Sequence, residues 1–196
     1  VDEGADFRNY TYAKYGGEVL KQPGQFAWQV FDAKSESLLR DEYRIREITK
    51  AESDTLEGLA DQLSGVDKAG FLKTVADYND AVDQDTAFDP TIKDGRATTG
   101  LDLPKSNWAN PLDTPPFKAF AITCGITFTF GGLKVSTHGE VIDTEEKVIR
   151  GLFAAGELVG GLFYGNYPGG SGLTSGAVFG RAAGTSAGRL ATGVGA

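Results

Sequence analysis

The stretch at residues 148–190, VIRGLFAAGELVGGLFYGNYPGGSGLTSGAVFGRAAGTSAGRL, carries most of the information about the fold. Residues 148–155 predict a buried strand, because their short apolar run is closed by Gly156. Glu157 follows the strand directly and is the last carboxylate side chain of the sequence. Polar residues in the turn after a strand often contact ligands rather than the core. Glu157 is therefore a candidate ligand-binding residue.

A glycine-rich loop at 160–172 precedes a helix predicted at about 173–190. This helix has a glycine at every fourth position: Gly176, Gly180, Gly184 and Gly188. At ~1 kcal/mol per glycine relative to alanine, they would remove roughly 4 kcal/mol of helix stability. We therefore expect the ridge of glycines to lie close against a sheet or a flat ligand. Arg181 and Arg189 exclude the other use of this spacing, a dimer of membrane-spanning helices.

The start of this helix is predicted to leave backbone N–H groups open. Gly169, Gly170 and Gly172 have no side chains that would cover these donors. The positive end of the helix dipole also favours an electron-rich partner there. The loop and the helix together therefore predict a cradle for a cofactor.

The segments GLFAAGELVGG and YPGGSGLTSGAVFGRAAG resemble the C-terminal flavin-binding segment of the fumarate reductase and succinate dehydrogenase flavoprotein family. The resemblance is closest to its tricarballylate dehydrogenase-like members. It extends through FGGLKVSTHGEVID and NPLDTPPFKAFAI to the opening VDEGADFRNYTYAKYGG, and so covers nearly the whole chain. The alternative is an unrelated glycine-rich α+β domain.

The resemblance implies an α+β fold in two parts. Residues 7–114 would form a mixed cap domain that covers the substrate. Residues 118–196 would form the C-terminal part of an FAD-binding domain, with antiparallel strands, the buried strand and the glycine-ridge helix. The dinucleotide fingerprint G-x-G-x-x-G after a strand is absent from the sequence. In this family it belongs to an N-terminal segment that the chain lacks, so we expect the isolated chain to hold little or no FAD and to be inactive.

The resemblance also implies roles for individual residues. Glu157 matches the acid that accepts hydrogen bonds from the flavin ribityl or ribose region. Gly172 and Leu173 match positions whose N–H groups face the flavin pyrimidine edge, where negative charge grows on reduction. The implied cofactor-binding set is Gly156, Glu157, Gly170, Ser171, Gly172 and Leu173.

Two residues are candidates for catalysis. Tyr167 lies in the loop that would face the flavin ring, where its hydroxyl could contact or protonate the substrate. Arg8 lies near the position of the proton-delivering arginine of fumarate reductases, although an anchoring role for Arg8 is equally open. Fumarate reductases carry histidines where this chain has Thr127 and Phe128, and a substrate-binding arginine in place of Tyr167. Fumarate itself is therefore in doubt as the substrate.

The implied function is that of an FAD-dependent oxidoreductase. It would move a hydride between flavin N5 and a carbon–carbon bond of a small, carboxylated, tricarballylate-like substrate. A separate electron-transfer partner fits this chemistry. Two alternatives stay open: a flavin-linked ketosteroid dehydrogenase, suggested by Tyr167-Pro168-Gly169, and a non-catalytic cap or scaffold without flavin.

Composition excludes several other classes of protein. The 196 residues carry a net charge of −8, which argues against nucleic acid and anionic membranes as partners. The single cysteine, Cys124, and the lack of a signal-like N-terminus indicate the cytoplasm. With one histidine, His138, in a predicted turn, hydrolase triads and histidine-based metal sites lack their parts, and no metal site is predicted.

The remaining elements are predicted from hydrophobic periodicity and capping signals. They are a strand at 25–32, a helix opened by an Asp54–Glu57 capping box and ended by Gly65, a helix capped by Asp67, a loop at 87–108, a long strand at 120–130 that buries Cys124, and a hairpin of 133–136 with 140–143. Residues 1–117 have 22 acidic and 13 basic side chains, against 5 and 6 in residues 118–196. This shift indicates a boundary near the proline-rich segment 110–116.

Overall fold

The computed structural model describes residues 1–193 and has an α+β architecture of helices with antiparallel sheets. Its contacts divide the chain into two units. The first unit comprises Val1–Thr11 and Tyr15–Cys124. The second unit comprises Tyr12–Lys14 and the described residues from Gly125 onward.

Four helices and five strands make up the regular structure of the described residues. In chain order they are α1 (Arg8–Leu20), β1 (Phe26–Phe31), β2 (Lys50–Ser53), α2 (Leu56–Ala60), α3 (Lys68–Ala81), β3 (Phe117–Thr123), β4 (Glu140–Ile142), β5 (Val148–Phe153) and α4 (Ser171–Thr192). None of the described helices is long and apolar enough to cross a membrane.

The first unit is built around a three-stranded antiparallel sheet in the order β1-β3-β2. The predicted strand at 25–32 is confirmed as β1. Strand β3 lies in the centre of the sheet and buries Phe117 and Ala119 against α2. The core also contains Ala51, Leu59 and Leu63, with Trp28 and Phe71 packed at its edge.

The helices of this unit follow local capping signals only in part. The predicted cap of α3 is confirmed, because the Asp67 carboxylate accepts a hydrogen bond from the backbone N–H of Ala69 at 3.1 Å. The predicted Asp54–Glu57 capping box is wrong. The hydroxyl of Thr55 caps α2 instead, accepting from Gly58 N at 3.0 Å, and α2 ends at Ala60, well before Gly65.

Helix α1 is absent from the sequence predictions. Its N-cap, Phe7, makes no side-chain capping bond, and Gly16 and Gly17 lower the helix propensity of its second half. Burial of Thr11 and Val19 accompanies helix formation there. Tertiary packing therefore stabilises a segment whose local signals are weak.

The long strand predicted at 120–130 is wrong beyond Thr123. Thr123 pairs with Phe26, the first residue of β1, so the next residues have no strand to pair with. Alternating side chains continue to Phe130, but alternation without a hydrogen-bonded neighbour does not make a strand. Cys124 is accordingly half-buried rather than buried.

The second unit contains the predicted hairpin, which is confirmed by the antiparallel Val135↔Val141 bridge. Strand β4 also pairs antiparallel with β5. The turn residue Gly139 has φ +78° and lies so close to α4 that a Cβ there would be 2.8 Å from Ala183. Glycine is therefore required at the point where the hairpin meets the helix.

Burial of the strand at 148–155 is a wrong prediction. Strand β5 pairs only with β4, and its residues are exposed except for the half-buried Phe153. The buried core cluster of this unit, Val141, Ala154 and Val159, includes no residue of β5. An apolar run thus marked a strand, but one strand partner is too few to bury it.

The glycine-ridge helix is confirmed as α4, although it begins at Ser171 rather than Leu173. Among the described residues no sheet lies against its glycine ridge, and contact of the ridge with a flat ligand stays a prediction. A Cβ added at Gly176, Gly180, Gly184 or Gly188 would meet no atom of the described chain within 4 Å. The ridge is an open groove along the helix.

Candidate functional site

The candidate site lies in the second unit, where the turn after β5 meets the segment before the hairpin. Leu133 N donates to Leu158 O at 2.7 Å, and Gly160 N donates to Leu133 O at 3.1 Å. These bonds accompany a parallel bridge between Leu133 and Val159. They hold the turn that carries Glu157 beside the segment that carries Thr129.

Glu157 lies in a short 3-10 turn, Gly156–Leu158, which Gly156 enters with φ +80°. Its Oε1 accepts hydrogen bonds from Thr129 N at 2.6 Å and from Thr129 Oγ1 at 3.2 Å. Among the described residues, Oε2 of Glu157 has no hydrogen-bond donor. The exposed carboxylate is therefore anchored by one oxygen, while the other is left as an acceptor without a described donor.

The N-terminus of α4 closes part of the predicted row of open N–H groups. Gly170 caps the helix in the left-handed conformation, and Ser171 N donates to Pro168 O at 3.0 Å. The N–H of Gly172 is predicted to be open, but it donates to the Tyr167 hydroxyl at 2.8 Å. Leu173 N has no acceptor in the part of the chain that the structure describes, and its side chain is 84% exposed.

Tyr167 is packed among aromatic side chains. Its ring stacks on Phe128 at a centroid distance of 4.0 Å and meets Phe163 edge-on at 5.3 Å. Phe163 in turn contacts Phe130. Only 7% of Tyr167 is exposed, so the residue is buried.

Three of the predicted cofactor-binding residues line one small cavity. Its volume is about 10 Å³, and its lining residues are Thr129, Phe130, Gly156, Glu157, Val159, Leu162, Phe163, Gly172 and Ser175. Ser171, the residue before Gly172, has a buried Oγ without a described hydrogen-bond partner. The structure thus brings Gly156, Glu157 and Gly172 together.

Arg8 is placed differently from the other predicted residues. Its backbone begins α1 in the first unit, while its side chain lies outside the described part of the chain. Its proposed part in catalysis stays a prediction. Within the described chain, no group of three or more His, Cys, Asp and Glu residues could hold a metal ion.

Sequence reasoning missed three residues of this site. Thr129 holds Glu157, Phe128 stacks on Tyr167, and Ser175 lines the cavity. The spacing of Ser175 from Ser171, four residues along one helix, was a usable signal, since both side chains lie on one face. The contacts of Thr129 and Phe128 join residues 28 and 39 positions apart, which no local pattern encodes.

The arrangement suits a ligand that has both hydroxyl groups and an electron-rich edge. Oε2 of Glu157 would accept hydrogen bonds from the hydroxyls of the ligand. The N–H of Leu173, at a helix N-terminus, would donate to the electron-rich edge of the ligand. Comparison with known proteins identifies such a ligand. The FAD binding domain family matches residues 10–173. The chain belongs to this family, whose cofactor is FAD.

Named relatives are oxidoreductases. The chain is 38% identical to the probable fumarate reductase Ifc3 of Shewanella frigidimarina over 92% of its length, and it spans only 29% of that relative. A flavocytochrome c3 fumarate reductase in its open conformation is similar with a TM-score of 0.65 and 34% identity, over 91% of this chain and 29% of that one.

A second solved structure matches equally well in fold. It is the 3-ketosteroid Δ1-dehydrogenase of Sterolibacterium denitrificans in complex with 1,4-androstadiene-3,17-dione, with a TM-score of 0.65 and 26% identity. The match covers 90% of this chain and 35% of that one. The chain is therefore similar both to a reductase and to a dehydrogenase.

Proposed function

We propose that the chain forms the cap and the C-terminal flavin-binding part of an FAD-dependent oxidoreductase, here called the parent protein. One observation carries the proposal. The same unit of this FAD-binding family member holds a donor without a described acceptor, the N–H of Leu173 at a helix start, and an acceptor without a described donor, Oε2 of Glu157. When bound, FAD supplies hydride transfer at its N5 atom.

Each predicted cofactor-binding residue has a role in this proposal. Glu157 accepts hydrogen bonds from the ribityl or ribose hydroxyls, and Gly156 provides the left-handed turn that presents it. Gly170 and Ser171 form the start of α4, which faces the flavin in this proposal. The N–H of Leu173 donates to the pyrimidine edge of the flavin. The N–H of Gly172 is shared with the Tyr167 hydroxyl.

We assign residues 7–114 to the cap and 118–196 to the flavin-binding domain, with the dinucleotide-binding half elsewhere in the parent protein. The isolated chain would then hold little or no FAD and show no turnover. A separate protein would supply or remove electrons, and the single cysteine favours a reducing, cytoplasmic location.

The proposed reaction adds or removes hydrogen across a carbon–carbon bond of a small, tricarballylate-like carboxylate. Tyr167 is the candidate for contacting or protonating the substrate, and Arg8 is the candidate for delivering a proton or binding a carboxylate. Support for a carboxylated substrate comes from the relative named a fumarate reductase. Thr127 and Phe128 replace the histidines of fumarate reductases, which favours a substrate other than fumarate.

One observation favours a second candidate, a flavin-linked ketosteroid dehydrogenase. The stack of Phe128 on Tyr167 makes this wall of the site flat and apolar, as a steroid ring would require. The similarity in fold to a ketosteroid dehydrogenase agrees with this alternative. Assaying the parent protein with tricarballylate, fumarate and 3-ketosteroids separates the two candidates, because only the correct class bleaches or reoxidises the bound flavin.

The test of cofactor binding is Glu157→Gln in the parent protein. Glutamine keeps an oxygen that can accept from Thr129 but loses the charge, so FAD should bind about 10- to 100-fold more weakly. Glu145→Gln is the matched control, because Glu145 is an exposed carboxylate of the same unit that pairs with Lys147. Unchanged FAD affinity on titrating the apo-protein would contradict the assignment of Glu157. A purified parent protein unable to take up FAD would contradict the proposed function.

A further inference from the structure

Ser175 presents a buried hydroxyl that the proposed function leaves unexplained. Its side chain is 9% exposed, and Oγ has no hydrogen-bond partner among the described residues. A buried hydroxyl without a partner costs free energy, so such a group calls for an explanation. The residue is not needed for the core, whose cluster in this unit is formed by Val141, Ala154 and Val159.

The cavity next to Ser175 has the size of one water molecule. Its volume is about 10 Å³, close to the smallest space that holds a water. Its walls offer the polar groups of Thr129 and Glu157 besides Ser175, whereas Val159 and Phe163 make the rest apolar. A bound water needs two to four polar partners, and the three residues supply them.

We propose that Ser175 is a positioning residue, which holds one water that bridges its hydroxyl to the Thr129–Glu157 pair and fixes the Glu157 carboxylate towards the flavin. This inference rests on the proposed function, because it assigns Glu157 to the cofactor. Both hydrogen bonds from Thr129 reach the same oxygen, Oε1, and leave the carboxylate free to turn about that anchor. The water adds a second fixed point between the carboxylate and the rigid start of α4.

The experiment measures FAD affinity and thermal stability of the apo-parent protein. Ser175→Ala should weaken FAD binding about 3- to 10-fold and lower Tm, because the water loses a partner. Ser186→Ala is the matched control on the same helix: Ser186 Oγ donates to His138 O at 2.9 Å, far from the cavity residues in sequence. This control should lower Tm without a change in FAD affinity.

A double-mutant cycle with Glu157→Gln separates positioning from general destabilisation. If Ser175 acts through Glu157, Ser175→Ala should have little further effect on FAD affinity in the Glu157→Gln background. Fully additive effects, or a Ser175→Ala variant with raised Tm and normal FAD affinity, would overturn the inference alone. If Glu157→Gln itself leaves FAD affinity unchanged, the assignment of Glu157 in the proposed function fails, and the inference fails with it.

Discussion

The hydroxyl of Tyr167 accepts the Gly172 N–H and keeps its own hydrogen for another partner. This hydrogen bond from the start of α4 fixes the position of the phenol oxygen. The stacked Phe128 fixes the plane of the ring. At the scale of single residues, Tyr167 is therefore well held for a proton-donating role.

We predict that Tyr167→Phe in the parent protein lowers kcat/KM by about 10²-fold and leaves the flavin content unchanged. Phenylalanine preserves the stacking on Phe128 and removes only the hydroxyl. Steady-state kinetics, with flavin absorbance as the measure of content, test the prediction. Loss of flavin together with activity would instead assign the hydroxyl to the support of Gly172.

The comparison variant is Arg8→Lys, which keeps the charge and removes the planar guanidinium. Normal rates for Tyr167→Phe with inactive Arg8→Lys would move the proton-donating role to Arg8. Normal rates for both variants would remove both residues from the site.

Sequence alone located Glu157 and the start of α4 because their signals are local: an apolar run, a glycine turn and a helix. It could not show that Tyr167 bonds to Gly172, since that contact depends on how the loop closes over Phe128 and Phe163. The same limit hid Thr129. Residues that hold other functional residues through tertiary contacts leave no pattern of their own.

At the scale of elements, the open glycine ridge of α4 gives a stability prediction. Gly180→Ala should raise the stability of the chain by ~1 kcal/mol, because the added Cβ meets no described atom and alanine favours the helix. For a chain of this size we expect Tm to rise by roughly 2–4 °C in thermal unfolding followed by circular dichroism. An unchanged or lower Tm would mean that the ridge is already covered.

The matched variant is Gly139→Ala, which should lower Tm, since its Cβ would clash with Ala183 and its φ of +78° disfavours alanine. In the parent protein, Gly180→Ala also tests the expected role of the ridge. Reduced FAD content there, with raised stability in the isolated chain, would indicate that the groove lies against the rest of the flavin domain.

The ends of elements were harder to predict than their existence. The cap of α3 follows from Asp67 alone, whereas the end of β3 depends on where β1 starts, at Phe26. Exposure of β5 likewise depends on its having β4 as its single partner. Strand ends and strand burial are properties of the sheet, and a periodic sequence does not contain them.

At the scale of the whole molecule, pH acts on the first unit through several of its carboxyl and tyrosine side chains. Hydrogen bonds lower the pKa of four carboxyls in this unit: Lys34 at Asp113, Lys118 at Glu36, Thr86 at Asp83 and Thr91 at Asp89. Burial raises the pKa of the Tyr15 and Tyr78 hydroxyls in the same unit.

We predict that the first unit loses stability at both extremes of pH because of these groups. A carboxyl group whose pKa is lower in the folded state stabilises the fold at pH values above its unfolded-state pKa. This contribution is lost as pH falls below ~4. A tyrosine whose pKa is higher in the folded state stabilises the fold at pH values below its unfolded-state pKa. This contribution is lost as pH rises above ~10. Trp28 and Trp108, the two tryptophans, both lie in the first unit, so their fluorescence reports on it selectively.

Tryptophan fluorescence should change as pH falls below ~4 and as it rises above ~10. Fluorescence that stays unchanged over both ranges would contradict the prediction, and hydrogen exchange of α4 gives a separate reading for the second unit.

Gly139 and Ala183 are distant in sequence but so close in space that the side-chain size allowed at one depends on the other. A larger side chain at either position would push the hairpin away from α4, and with it β4 and the strand that leads to Glu157. Neither residue lines the candidate cavity, so a larger side chain at either position would act on it only through the position of the hairpin. In a library that diversifies α4 to change cofactor or substrate preference, this pair should be held constant or varied jointly.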